Sequence, residues 1–146
     1  MSLKDSIKLN EGFKDRVYKD SLGKDTIGYG FLVSALSNDE LELNGGFIEP
    51  MSKEVADKIL ELKLKKLKRD LFGVLPWLEQ KPQNVKDAIT EMAYQLGIQK
   101  MTGFVNTLGY IKNGDYEQAS SNLKQSLWYK QTPKRVEKMI RSLQNA

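Results

Sequence analysis

The change in hydrophobic patterning near residue 50 is the feature that most constrains the fold of this chain. From residue 52 onward, apolar residues recur at steps of three and four, the spacing that places them on one face of a helix. Residues 12–50 are instead rich in glycine and contain only short runs of β-type residues. At 146 residues the chain can bury a core without disulfides. The pattern predicts a mostly helical α+β protein.

The longest helical pattern covers residues 52–72, and Ser52 suits its N-cap. Its apolar stripe consists of Val55, Ile59, Leu60, Leu64, Leu67 and Leu71. The opposite face is rich in lysine, which is typical of a solvated helix surface and is also found in nucleic-acid readers. The stripe predicts a long helix that packs its apolar face against the rest of the protein.

Other helices are predicted on both sides of this one. Residues 3–10 predict a short helix, which ends before a glycine. Further helices are expected to begin near Pro82 and at Thr132, each with a proline in or beside the first turn. Shorter apolar stripes predict helices over 104–111 and 116–127.

The glycine-rich part predicts a β-hairpin. Residues 13–19 and 26–33 are strand-like runs, and residues 20–25 between them are turn formers. Residues 37–40 have capping-box spacing and are expected to start one helical turn. Phe47–Ile48 is a candidate third short strand.

These elements predict one domain over residues 1–146, with two lobes. A small α/β lobe is expected over about 12–50, a connecting helix over 52–72 and a helical lobe over 73–146. The helix over 3–10 is expected to pack on the helical lobe.

Composition excludes several kinds of chemistry. The chain contains no cysteine and no histidine. Disulfides, thiol nucleophiles, Cys/His zinc sites and Ser-His-Asp catalysis are therefore absent. If the protein is an enzyme, its proton transfers must use carboxylates, lysines, tyrosines or water.

The charge is unevenly distributed along the chain. The net charge is +4, but residues 1–50 carry 6 basic and 9 acidic side chains and residues 51–146 carry 17 and 10. A basic body suits an anionic polymer, whether nucleic acid, a membrane surface or a cell wall, although a solvated surface explains the same numbers. No apolar run approaches the roughly 20 residues of a membrane span, and the N-terminal residues lack the apolar region of a signal peptide.

Candidate chemistry is concentrated in the glycine-rich part. Glu11 lies at a helix end, Asp20 opens the hairpin turn and Thr26 begins the return strand. Gly28 and Gly30 alternate on that strand and leave one face open to a ligand. Two carboxylates and a hydroxyl fit glycoside hydrolysis, in which one carboxyl protonates the leaving oxygen and the other assists water. Acidic residues near turns are also ordinary, so these residues alone leave the function open.

An ordered set of motifs resembles a known family. The motifs NEG, YKDSLG and TIGYG at residues 10–12, 18–23 and 26–30 resemble the catalytic lobe of the phage-type lysozymes, glycoside hydrolase family 24. The motifs AYQLG, GFVNTL and WYKQTPKR at residues 93–97, 103–108 and 128–135 resemble the helical lobe of the same family. The resemblance covers nearly the whole chain and implies the lysozyme-like two-lobe fold.

The resemblance also implies roles for individual residues. Glu11 would be the general acid, Asp20 would assist the attacking water, Thr26 would lie beside Asp20, and Arg135 would lie near Glu11. The positions that correspond to the lining of the family's glycan cleft are Gly30, Leu32, Tyr94, Gln95, Thr107 and Asn122.

Three departures from the family are visible. Phe31 stands where the family usually has histidine, so no histidine–aspartate pair can form and Asp70 must find lysine, arginine or water. The segment from Ser34 to Ile48 is short, which implies a reduced outer wall of the cleft. The sequence ends at Ala146, before the family's last short helix.

The combined interpretation is an endolysin-type muramidase. It would cleave the β-1,4 bond between N-acetylmuramic acid and N-acetylglucosamine in peptidoglycan, with inversion, as a monomer and without a metal or cofactor. Neither nucleic acid nor membrane insertion is expected. The protein would be made in the host cytoplasm and act on the wall after release, through a holin if it comes from a phage. The alternatives are a lytic transglycosylase and a non-catalytic basic module that binds cell wall or nucleic acid.

Overall fold

The structure, a computed structural model, describes residues 2–146. Helices dominate it, and the expected mostly helical α+β class is confirmed. The elements are α1 Leu3–Glu11, β1 Lys14–Lys19, β2 Asp25–Gly28, β3 Phe31–Leu32, α2 Asn38–Glu42, α3 Lys53–Val74, α4 Gln83–Leu96, α5 Ile98–Thr102, α6 Val105–Lys112, α7 Tyr116–Lys124, α8 Leu127–Gln131 and α9 Pro133–Gln144, with short 3₁₀ turns at Val33–Ala35 and Pro76–Gln80.

The chain divides into two compact units, one ending at Lys66 and the other spanning Leu67–Ala146. Helix α1 belongs to the first unit, where Lys4 and Lys8 form ion pairs with Glu61 and Asp57 of α3, at 3.2 Å and 3.1 Å. The lobe limits expected from the sequence, and the packing of the helix over 3–10 on the helical lobe, stay predictions.

The sheet of the first unit has three antiparallel strands in the order β1-β2-β3. Tyr18 of β1 lies opposite Thr26 of β2, and Thr26 lies opposite Leu32 of β3. The prediction of a single strand over 26–33 is wrong, because the chain reverses between β2 and β3. Gly28 and Gly30 have φ angles of 66° and 73°, which glycine adopts readily and other residues rarely do. The alternating glycines thus make a tight turn.

The predicted strand at Phe47–Ile48 is also wrong. The Nδ2 group of Asn44 donates hydrogen bonds to the carbonyl oxygens of Phe47 and Pro50, at 2.9 Å and 3.1 Å. The Asn44 side chain thereby binds the backbone of the loop that follows it, and no strand forms at residues 47 and 48.

Helix starts follow the sequence signals closely. Ser37 and Glu40 form the predicted capping box at the start of α2. The Ser52 hydroxyl accepts a hydrogen bond from the backbone N–H of Val55, at 3.1 Å, which confirms it as the N-cap of α3.

The apolar core of the first unit forms where the sheet, α1 and the first half of α3 contribute side chains. Its buried members are Leu3, Ile7, Ile27, Tyr29, Phe31, Met51, Ala56, Ile59, Leu60 and Leu64. Phe31 is only 2% exposed, and its ring lies 5.4 Å from the Lys63 ammonium of α3. The residue that replaces the family's histidine is therefore an apolar core residue.

The second unit is helical and has one apolar cluster. It includes Leu71, Leu78, Val85, Ile89, Met92, Met101, Ile111, Leu123, Trp128, Val136 and Ile140. The predicted helix over 116–127 ends earlier as α7, because Ser126 caps a separate helix α8 by accepting a hydrogen bond from the backbone N–H of Tyr129, at 3.0 Å. Across residues 2–146, no helix is long and apolar enough to cross a membrane.

Candidate active site

Glu11 is the last residue of α1, and its carboxyl group lies against the turn between β2 and β3. A methyl group added at Gly30 would be 2.5 Å from Glu11 Oε2 and 2.9 Å from its carboxyl carbon. No side chain fits at residue 30 while Glu11 keeps this position. Gly30 therefore lets the backbone approach the carboxyl group closely, and the structure brings these two predicted site residues together.

Asp20 is anchored by the hairpin turn that it opens. Its Oδ1 atom accepts hydrogen bonds from the backbone N–H groups of Leu22 and Lys24, at 2.8 Å and 2.9 Å. Its own N–H donates to the Lys24 carbonyl oxygen, at 3.0 Å. Within residues 2–146, Oδ2 has no hydrogen-bond partner. The turn thus fixes one carboxylate oxygen and leaves the other available.

Thr26 shares a partner with Asp20. It is 3% exposed, and its hydroxyl donates to the carbonyl oxygen of Lys24, at 2.9 Å. Since that hydrogen is used, the hydroxyl oxygen can only accept a further hydrogen bond. Lys24 therefore binds Asp20 through its N–H and Thr26 through its carbonyl, which places both side chains on one turn.

Tyr18 is a neighbour of the predicted site residues that sequence reasoning did not single out. It lies opposite Thr26 in the sheet. Burial, then the negative charges of Glu11 and Asp20, raise the pKa of its phenol, so Tyr18 lies within the field of both carboxylates and stays neutral. Its position two residues before Asp20 was an available signal, because alternate residues of an extended chain share a face.

Leu32 lies half-buried on β3, where it also pairs with Thr26. Glu11, Asp20, Thr26 and Gly30 likewise belong to the first unit. Among residues 2–146 there is no group of three or more acidic residues that could hold a metal ion.

The other predicted site residues belong to the second unit. Thr107 of α6 is 1% exposed and donates a 2.5 Å hydrogen bond to Asn122 Oδ1 of α7. Thr107 is thus almost closed to solvent, and its hydroxyl hydrogen is bound to Asn122. Gln95 of α4 donates a long, 3.4 Å hydrogen bond to the Thr132 hydroxyl.

Tyr94 and Arg135 are half-buried on α4 and α9. The glycan contacts of the second unit and the role of Arg135 beside Glu11 stay predictions. Asp70, which lacks the family's histidine partner, lies 3.8 Å from the guanidinium of its neighbour Arg69, with both side chains exposed.

Comparisons with known proteins show the family of this chain. The family model described as phage lysozyme matches residues 8–145. Two proteins of Dictyostelium discoideum, named probable T4-type lysozymes 2 and 1, are each 29% identical over alignments that cover 95% of this chain and 91% of theirs. The pre-baseplate central spike protein Gp5 of Enterobacteria phage T4 is 27% identical over 95% of this chain and 27% of its own length. This chain belongs to the phage lysozyme family, and with that family it has a lysozyme-like, peptidoglycan-hydrolysing function.

Proposed function

We propose that this protein is an endolysin-type muramidase that hydrolyses the β-1,4 bond between N-acetylmuramic acid and N-acetylglucosamine. Glu11 would act as the general acid and Asp20 as the general base. The observation that carries the proposal is the hydrogen bonding of Asp20: two backbone N–H groups hold one carboxylate oxygen, and the other has no partner within residues 2–146.

The geometry of Asp20 suits a base that acts on water. A general base must point a free lone pair at the proton that it removes. Two hydrogen bonds to Oδ1 fix the carboxylate plane, so Oδ2 has a defined direction before any substrate binds. Preorganisation of this kind lowers the barrier because the base need not be oriented during the reaction.

Thr26 can accept the second hydrogen bond from the attacking water. Its hydroxyl oxygen accepts but does not donate further, since its hydrogen is bound to the Lys24 carbonyl. A water that donates one hydrogen to Asp20 Oδ2 and the other to Thr26 keeps a lone pair for the anomeric carbon. Attack by such a water on the face opposite the leaving oxygen inverts the configuration of the sugar.

Glu11 supplies the proton for the leaving oxygen. The backbone of Gly30 lies against the carboxyl group and limits its movement toward the turn. The basic stretch after residue 50 would assist by attracting the protein to an anionic wall.

Substitution of Asp20 tests the base. Asp20→Asn keeps an oxygen that can accept from Leu22 and Lys24, and it should still lower turnover by a factor of about 10²–10⁴. Asp25→Asn is the matched control, since Asp25 is an exposed carboxylate of the same hairpin, paired with Lys19 at 2.6 Å. Loss of glycan affinity with unchanged turnover would make Asp20 a binding residue.

A turbidity assay on peptidoglycan tests Glu11. Glu11→Gln should fold normally and abolish lysis, and Glu42→Gln, on an exposed residue of the same unit, should lyse like the wild type. Analysis of the products separates the enzymes: a reducing muramic acid end supports hydrolysis, whereas a 1,6-anhydro end would show a lytic transglycosylase. No turbidity change with the wild type would indicate a binding module.

A further inference from the structure

Lys8, Tyr29 and Asp57 form a polar cluster that links three elements of the first unit. Tyr29, in the turn between β2 and β3, donates a 2.8 Å hydrogen bond to Asp57 Oδ1 of α3. Lys8 of α1 lies 3.1 Å from Oδ1 and 3.2 Å from Oδ2 of the same carboxylate. Its ammonium is also 5.5 Å from the centroid of the Tyr29 ring. One carboxylate thus holds α1 and the turn together.

The turn that Tyr29 anchors is the one that lies against the general acid. Tyr29 stands between Gly28 and Gly30, and it is 1% exposed, with its ring packed against Phe13 and Phe31. A shift of Tyr29 would carry Gly30 with it. Because the space between Gly30 and Glu11 Oε2 is too small even for a Cβ, such a shift changes the position that the carboxyl group can adopt.

Lys8 anchors the other side of the same contact. It precedes Glu11 by three residues on α1, so the two residues lie about one turn apart. The ion pair with Asp57 fixes the last turn of the helix, from which the Glu11 side chain projects. Both backbone segments that define the place of the acid therefore depend on Asp57.

The charges of the cluster are stable around neutral pH. The hydrogen bond to Asp57 raises the pKa of Lys8, against the opposing effect of burial. Burial, then the bond to Asp57, raises the pKa of Tyr29. Burial of Asp57 acts to raise its pKa, but the hydrogen bonds from Tyr29 and Lys8 outweigh it and lower the pKa. Tyr29 therefore keeps its proton and remains a hydrogen-bond donor beside the charged Lys8 and Asp57 during the proton transfers proposed for Glu11.

We propose that Lys8, Tyr29 and Asp57 are positioning residues for the general acid. They hold Gly30 and the end of α1 at a fixed separation, and this separation places the Glu11 carboxyl group within reach of the leaving oxygen. The proposal rests on the proposed role of Glu11. A second ion pair between the same helices joins Lys4 and Glu61 at 3.2 Å. Among residues 2–146 it makes no hydrogen bond or ion pair with the turn, so it offers a matched comparison.

Tyr29→Phe is the central test, because it removes one hydroxyl and keeps the packed ring. Misplacement of the acid should lower kcat on soluble peptidoglycan fragments about tenfold and change KM less than about twofold. Glu61→Gln, which breaks the matched ion pair, should leave both constants near the wild-type values. Thermal unfolding of all variants, with assays well below the melting temperature, removes any effect of global stability.

Rescue at Lys8 provides the second test, and it does not depend on a buried residue. Lys8→Met should lower kcat about as much as Tyr29→Phe. Lys8→Arg, which keeps a cation able to reach both Asp57 oxygens, should restore most of it. In the double variant Lys8→Met/Tyr29→Phe the losses should be less than multiplicative, since both substitutions release the same contact.

The outcomes separate this inference from the proposed function. A wild type that cleaves glycan and loses activity in Glu11→Gln supports the catalytic role of Glu11 whatever the cluster does. If Tyr29→Phe and Lys8→Met then keep the wild-type kcat, as Glu61→Gln is expected to do, the cluster serves stability alone and the positioning role is overturned. If Glu11→Gln keeps wild-type activity, the proposed function itself fails.

Discussion

Both units of the molecule have an apolar core, but they differ in how their polar side chains are paired. In the first, charged and polar side chains from distant parts of the chain meet, as in Asp57 with Lys8 and Tyr29, or Glu40 with Lys63 and Lys66. In the second, one apolar cluster dominates. Of its buried hydroxyls, those of Thr90 and Ser120 donate to carbonyl oxygens four residues earlier in their own helices, and that of Thr107 donates to Asn122 of the next helix.

The difference follows from how precisely each unit must orient its side chains. Apolar packing is non-directional and fills space, whereas hydrogen bonds and ion pairs fix particular atoms at particular distances. The first unit contains the proposed acid, base and water-binding hydroxyl, which need defined orientations. Polar networks there contribute geometry in addition to stability, and four substitutions or conditions test this contrast.

The largest effect is expected in the apolar cluster. Ile89→Ala removes a fully buried side chain of α4 and should lower the free energy of unfolding by about 3–4 kcal/mol. The loss should not depend on salt or on pH between 6 and 8. Urea unfolding measures it, with the exposed Val105→Ala as the control. A loss below about 1 kcal/mol would show that the second unit does not depend on this cluster.

Gly30→Ala should damage activity more than stability. The added methyl group would meet Glu11 Oε2 at 2.5 Å, and displacement of the acid by about 1 Å can cost a factor of about 10² in kcat. Gly46→Ala is matched for backbone strain, with a φ angle of 86° and nothing within 4 Å of the added carbon. Equal kcat in the two variants would mean that Gly30 serves the turn alone.

Glu40→Gln tests the most deeply buried charged side chain among the described residues of the first unit. The side chain is 3% exposed, and its oxygens lie 3.1 Å from Lys63 and 3.3 Å from Lys66. Glutamine preserves the capping box, so the expected loss of about 2 kcal/mol reports the charge alone. Denaturant unfolding should show a smaller loss in high salt. Exposed Glu42→Gln is the control, and a salt-independent loss would point to packing instead of charge.

The smallest effect per group is expected on acidification. Among residues 2–146, the carboxyl groups with clearly lowered pKa values are Asp39, Glu40 and Asp57, all in the first unit. A lowered pKa gives stability that is present above the unfolded value near 4 and lost as pH falls through the folded value. Hydrogen bonds from Ser37 and Lys66 lower the pKa of Asp39 to about 2.

The first unit should therefore lose stability between about pH 4 and pH 2, with little change from pH 6 to 8. Amide signals of the two units, followed by NMR during acidification, measure this separately for each. Since the chain has no histidine, a step in melting temperature near pH 6.5 would show that a strongly shifted glutamate, aspartate or lysine titrates there, and it would contradict this prediction.

The sequence supported the regular elements well because their signals are local. The periodic apolar stripes of α3, α4 and α9 lie within single segments, and Ser37 and Ser52 cap residues only three positions away. The run over 26–33 has apolar residues that suit a single strand, whereas Gly28 and Gly30 permit the reversal that the chain makes there. Propensity alone does not distinguish these two uses of glycine.

The candidate site was recognised in part for the same reason. Glu11, Asp20 and Thr26 stood out through motifs that resemble a family, and the family match bears out that resemblance. The motifs do not show how each of these groups is hydrogen-bonded. That Asp20 has one anchored oxygen, and that Thr26 donates to Lys24, depends on the conformation of the turn.

The sequence by itself determined the helical class, the positions of most helix starts, the chemistry excluded by the absence of cysteine and histidine, and the motifs of the family. Only the tertiary structure decided that Tyr29 reaches Asp57, 28 residues away, and that Gly30 lies against Glu11. Periodicity and capping act over one or two turns of chain, whereas a contact between distant residues exists only after the core has set the separation of the elements that carry them.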